Sequence, residues 1–65
     1  MNEADSNFPR LSAPARRALA LAGYERLEEL DGVEKAQLSR LHGIGPSAVE
    51  ALRSALAERG LSLRD

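Results

Sequence analysis

Length, composition and charge restrict this chain to one small domain held together by aliphatic packing. It has 65 residues, a net charge of −1 and no cysteine, which excludes disulfides and thiolate metal sites as supports for a thin core. Leucine and alanine dominate, and only Phe8 and Tyr24 are aromatic, which favours short helices over a sheet. No stretch has the features of a signal peptide or a membrane span, so we expect a soluble, cytoplasmic protein.

Charge is segregated along the chain. Four arginines and one acid lie between Arg10 and Arg26, whereas residues 27–36 carry four acids and one lysine. The near-neutral total is unlike that of strongly electrostatic DNA binders, which are basic. If the fold keeps these two segments apart, one surface is basic and another is acidic.

The predicted elements begin after an N-terminal tail, residues 1–10, which is polar and non-periodic. Phe8 could pack from this tail onto the edge of the domain. Residues 11–65 form the domain itself. Ser12 can cap a first helix that tolerates Pro14 in its first turn, continues to about Ala22 and ends at Gly23. Its apolar face is predicted to comprise Leu11, Ala15, Ala18, Leu19 and Ala22.

Two short helices are predicted next. The second helix covers residues 24–30, with Leu27 and Leu30 spaced so that both are buried. The third helix covers about residues 34–41. Its inward-facing residues are predicted to be Val33, Leu38 and Leu41.

A glycine hairpin, Gly43-Ile44-Gly45, joins the third helix to the last one. Glycine permits backbone angles that a side chain would forbid, and Ile44 between the two glycines is predicted to plug the core. Pro46 suits the first position of a helix, which runs to about residue 59 and stops at Gly60. Its apolar stripe is predicted to comprise Val49, Leu52, Ala55 and Leu56. Leu61 and Leu63 are expected to fold back onto the core.

The hairpin also predicts a place where an anion can bind. The first N–H groups of the last helix have no acceptor within the helix and lie at the positive end of its dipole, where a phosphate can sit. Arginines of the first helix and Arg40 could add positive charge nearby. A plain tight turn beside solvated arginines is the alternative interpretation. The candidate DNA-contacting residues are Arg16, Arg17, Arg40, Gly43, Ile44, Gly45 and Ser47.

The order of these landmarks resembles two nested families. Leu41 to Leu52 resembles a helix-hairpin-helix motif, in which an apolar residue precedes Gly-Ile-Gly and a helix. Leu11 to Leu63 is similar to the C-terminal domain of the bacterial RNA polymerase alpha subunit. The matching landmarks are Leu11-Ser12, Ala22-Gly23, Leu27 with Leu30, Leu38, Gly45-Pro46-Ser47, and the ending from Leu56 to Leu63.

This resemblance implies an all-α fold, a compact bundle of four to five short helices that contains a helix-hairpin-helix motif. It also implies a non-enzymatic DNA-binding module linked to transcription. The family's minor-groove arginine falls on Pro14, its asparagine falls on Arg17, and its hairpin glycine matches Gly45. The lysine and serine that open the family's last helix fall on Ser47 and Ala48.

No group of residues indicates catalysis. His42 is the only histidine, so a histidine-based metal cluster or catalytic relay is excluded. The four acids of residues 27–36 lie on short exposed helices and lack the cleft that a catalytic pair of carboxylates needs. We therefore predict that the chain is not an enzyme and uses no cofactor or metal.

A protein-interaction module, or adaptor, is the alternative function on the same fold. Its basis is the near-neutral charge and a run of carboxylates that could dock a basic protein partner. We expect a monomer by default, although so small a core leaves a dimer open. The carboxylates of this acidic surface are Glu28, Glu29, Asp31 and Glu34.

Overall fold

The computed structural model describes residues 7–64. Residues 1–6 of the predicted tail and residue 65 lie outside the described residues. Within this range the chain is all-α, as predicted, but the number of helices is not four to five. There are three α-helices and one turn of 3-10 helix, whose bounds are Ala13–Leu21 (α1), Leu27–Leu30 (the 3-10 helix), Lys35–Ser39 (α2) and Pro46–Ala57 (α3).

The helix α1 begins where the sequence predicts. The Oγ atom of Ser12 accepts a hydrogen bond from the N–H of Ala15 at 3.3 Å, which satisfies one of the first N–H groups of the helix. The helix ends at Leu21, and Gly23 follows with φ +93°. Ala22 therefore forms the cap and is exposed, so its predicted place on the buried face is wrong.

The second predicted helix is reduced to its last four residues. Arg26 has extended backbone angles (φ −137°, ψ 152°), and the N–H groups of Glu25 and Arg26 donate to the carboxylate of Glu29 at 2.6 and 3.3 Å. That carboxylate draws the preceding backbone away from helical geometry. Leu27 and Leu30 are nevertheless buried, as their spacing predicts.

The helix α2 is also shorter than residues 34–41. At its start Glu34 is extended and forms an isolated parallel bridge with Arg64. At its end Arg40 is the cap, and its N–H donates to the carbonyl of Gln37 at 3.3 Å. Tertiary pairing at one end and the hairpin at the other leave a helix of five residues.

The core draws on all four helical elements and on the hairpin. Among residues 7–64 no polar or charged residue is buried. Ile44 is 7% exposed and belongs to the core, so its predicted role as a plug is confirmed. The buried residues are Ala15, Ala18, Leu19, Leu27, Leu30, Leu38, Ile44, Val49, Leu52 and Leu56.

The segment after α3 folds back, as predicted. Leu61 and Leu63 are partly buried against the core. The backbone of this segment pairs with the chain before α2: the N–H of Arg64 donates to the carbonyl of Val33, and the N–H of Lys35 donates to the carbonyl of Arg64, both at 2.8 Å. These bonds fix the loop between the 3-10 helix and α2 to the end of the chain.

Candidate nucleic-acid interface

The hairpin between α2 and α3 packs against the start of α1. Gly43 has φ +102°, and a Cβ atom built on it would lie 2.7 Å from the carbonyl oxygen of Pro14 and 3.5 Å from the Cβ of Ala18. Only glycine lets two backbones approach this closely at this angle. The contact places the hairpin beside the first turns of α1, which sequence patterns did not reveal because Gly43 lies 29 positions after Pro14.

Ile44 and Gly45 have different roles within the hairpin. The N–H of Ile44 donates to the carbonyl of Leu41 at 3.0 Å, and its side chain is buried, so Ile44 supports the hairpin rather than offering a group to a ligand. Gly45 is the N-cap of α3 and its carbonyl accepts from the N–H of Val49 at 3.1 Å. The structure thus gives Ile44 a packing role, and its contact with DNA stays a prediction.

The N-terminus of α3 is open. No side chain caps it, and within residues 7–64 no acceptor takes the N–H groups of Gly45, Ser47 or Ala48. By contrast, α1 is capped by its own serine. Gly45 and Ser47 are exposed, so these donors stand at the positive end of a helix of 12 residues.

The two arginines of α1 do not share one side of the helix. Successive residues of an α-helix are rotated by about 100°. Arg17, three positions after Pro14, is therefore rotated around α1 by about 60° from Pro14, whose carbonyl approaches Gly43. Arg16, two positions after Pro14, projects from nearly the opposite side. Helix geometry therefore favours Arg17 over Arg16 as the arginine of α1 that lies nearer to the hairpin.

Arg17 and Arg40 have no acidic partner among residues 7–64. Arg17 and Arg40 are exposed, and neither forms an ion pair with any of residues 7–64. Arg40 lies at the end of α2, three residues before Gly43. Both side chains are thus free of acidic partners in the described part of the chain.

Elsewhere, four arginines are paired. The four pairs, with their N···O distances, are Arg26–Glu28 at 3.5 Å, Arg53–Glu50 at 3.1 Å, Arg59–Glu28 at 3.1 Å and Arg64–Glu34 at 3.5 Å. All of these side chains are well exposed, so each pair contributes little to stability. Each pair neutralises one arginine, whereas Arg17 and Arg40 form no such pair among residues 7–64.

The predicted acidic surface is engaged within the domain. Glu28 and Glu34 hold arginines, and Glu29 accepts two backbone N–H groups. The Oδ1 atom of Asp31 accepts from the N–H of Ser62 at 3.1 Å. These carboxylates therefore act first as caps and internal ion-pair partners.

Glu28 has a pKa lowered from its ordinary value of 4.5. The first cause is the hydrogen bond from the side chain of Asn7, followed by a backbone hydrogen bond, with Arg26 and Arg59 adding to it. Because the folded-state pKa lies below the unfolded one, the stabilisation from Glu28 is complete above about pH 4.5 and is lost as the pH falls through the lowered value.

Replacing Asn7 with alanine should move the pKa of Glu28 upward, because the largest cause of its lowering is removed. The measurement is an NMR titration of the Glu28 side-chain carboxyl carbon in both proteins. An unchanged Glu28 titration would contradict this assignment.

Neither a metal site nor a membrane span is present in the described part of the chain. Residues 7–64 contain no group of three or more histidine or acidic residues placed to hold a metal ion. None of their helices combines the length and the apolar character needed to cross a bilayer.

Comparison with known proteins finds no relative of this chain. No family model, no curated protein and no solved structure matches the chain.

Proposed function

We propose that this chain is a small, non-enzymatic DNA-binding module of the helix-hairpin-helix type, related to transcription, that acts as a cytoplasmic monomer. The observation that carries the proposal is the open N-terminus of α3, with three N–H groups lacking acceptors in residues 7–64, beside arginines that have no acidic partner there. The resemblance of Leu11 to Leu63 to the polymerase alpha C-terminal domain supports the same function.

In this proposal a backbone phosphate accepts hydrogen bonds from the N–H groups of Gly45, Ser47 and Ala48. The helix dipole favours its negative charge, and the hydroxyl of Ser47 donates beside it. Arg17 approaches the same strand from α1, where its planar fork suits a phosphate or a narrow minor groove. Such contacts position the protein on a duplex without reading its bases.

The affinity should be weak, because few cations take part. Non-specific binding has dissociation constants of about 10⁻⁴ to 10⁻⁶ M. If two or three phosphates are neutralised, raising the salt from about 50 to about 200 mM should weaken binding roughly 10- to 40-fold. A fluorescence titration of a labelled duplex at these two salt concentrations tests the proposal.

Arg17→Ala should weaken duplex binding at low salt by about 5- to 10-fold and reduce the salt slope by about one. The matched control is Arg64→Ala, which removes the same charge from an exposed residue outside α3 that is already paired with Glu34. We expect this control to bind like the unchanged protein. Absence of binding at the lower salt by a folded protein would refute the function, and equal losses in both variants would refute the site.

An adaptor that docks through the acidic surface is less well supported. Its carboxylates already hold backbone N–H groups or arginines of the same domain. Binding a basic partner would compete with these contacts. NMR shifts on adding duplex should therefore centre on Gly43, Gly45 and Arg17; shifts confined to residues 28–34 on adding a basic protein would favour the adaptor.

A further inference from the structure

We propose that residues 7–9 form a detachable strap, latched by Asn7 to the Glu28 carboxylate, and that protonation of Glu28 releases the strap while the helical core stays folded. This inference goes beyond DNA binding and does not depend on it. The strap is the N-terminal segment Asn7-Phe8-Pro9 that precedes α1.

The latch consists of one side chain that bonds both backbone and carboxylate. The Oδ1 atom of Asn7 accepts from the N–H of Leu27 at 2.9 Å. Its Nδ2 atom donates to both carboxylate oxygens of Glu28 at 3.1 Å. Asn7 thereby caps the first N–H of the 3-10 helix from 20 residues away in the chain, and these bonds fix where the strap lies.

The backbone of the strap is in a conformation that needs such support. Asn7 has φ +48°, the one positive φ at a residue other than glycine in the described chain. Asparagine tolerates this region better than most residues, but it still has a cost there. Phe8 is only partly buried against the core, so the contacts of Asn7 are also needed to keep the strap bound to the domain.

Glu28 is the group whose charge matters most for the latch. Besides Asn7, it faces Arg26 of its own segment at 3.5 Å and Arg59, just after α3, at 3.1 Å. Both arginines stay charged at every relevant pH. Glu29, the neighbouring acid, is turned to the N–H groups of Glu25 and Arg26. Among residues 7–64, Glu28 is the acid that bonds to the strap, and low pH neutralises it.

Protonation should loosen the strap before it loosens the core. A hydrogen bond to a charged acceptor is about twice as strong as one between neutral groups, so neutral Glu28 holds Asn7 less well. The ten buried residues of the core all lie between Ala15 and Leu56, outside the strap. Proteins commonly open such peripheral segments without unfolding as a whole.

Hydrogen exchange of the Leu27 N–H measures the latch directly, because that group donates to Asn7. We expect the protection factor of Leu27, divided by that of Leu52 in the core, to fall by about tenfold between pH 7 and the acid side of the Glu28 titration. Dividing by Leu52 removes any loss of global stability. The control Glu50→Gln, which alters an acid remote from the strap, should give the same curve.

Asn7→Asp tests the direction in which pH changes the docking of the strap. Two carboxylates would then face each other, so the strap should be released at pH 7 and should dock again on acidification, when one carboxylate takes up a proton. The protection ratio of Leu27 would rise where that of the unchanged protein falls. A ratio that stays constant through the Glu28 titration, or that changes in the same direction in both proteins, overturns the proposal.

Discussion

Leu52→Ala should remove a large part of the stability of the domain. Leu52 lies on α3 and is completely buried, so its truncation removes apolar contacts and opens a cavity, at a cost of about 2–5 kcal/mol. Small domains have about 0.05–0.15 kcal/mol of stability per residue, which gives roughly 3–10 kcal/mol for 65 residues. One methyl-rich side chain therefore accounts for a large part of the total.

Urea unfolding followed by circular dichroism at about 222 nm measures this loss through the midpoint concentration. The matched control is Leu21→Ala on α1, where the same atoms are removed from a residue that is 82% exposed. Its effect should stay within about 0.5 kcal/mol. Equal effects of the two substitutions would show that the core is not packed as described.

Gly43→Ala is expected to have the second-largest effect, roughly 2–5 kcal/mol. Two costs combine at this position. The residue has φ +102°, which a side chain adopts only with strain, and the new Cβ would meet the Pro14 carbonyl oxygen at 2.7 Å. Backbone atoms cannot turn aside as a flexible side chain can, so the hairpin and α1 must move apart.

Two other glycines separate these costs. Gly23 has a similar φ of +93° with no atom within 4 Å of an added Cβ, so Gly23→Ala measures strain alone. Gly45 has neither a positive φ nor a close neighbour, and Gly45→Ala should cost about 1 kcal/mol or less as a weaker N-cap. The urea midpoint should be highest for Gly45→Ala, lower for Gly23→Ala and lowest for Gly43→Ala. A midpoint for Gly43→Ala that is no lower than that of Gly23→Ala would argue against the contact with Pro14.

The features predicted well from sequence are those with local causes. Ser12 and Pro14 mark the start of α1, Pro46 marks the start of α3, and the position of Ile44 between glycines indicates a buried plug. Each depends on residues a few positions apart, so capping chemistry and hydrophobic spacing are sufficient to predict it.

The features that sequence missed have distant causes. Arg26 is extended and the 3-10 helix begins only at Leu27, whose N–H donates to the side chain of Asn7, 20 residues away in the chain. The approach of Gly43 to Pro14 depends on how α1 packs, which periodicity does not show. At the candidate site, the open N-terminus of α3 could be predicted from sequence. Which of Arg16 and Arg17 lies nearer to the hairpin could not, because it depends on which side of α1 packs against the hairpin.

No polar or charged residue is buried between residues 7 and 64, and this has a consequence for solution behaviour. Aliphatic contacts stabilise the domain. Its ion pairs are exposed to solvent, so salt that screens them removes little stability. The melting temperature should then change little between dilute buffer and near-molar sodium chloride, whereas association with a polyanion should vanish. Higher ionic strength would thus weaken the binding of a polyanion and leave the fold unchanged.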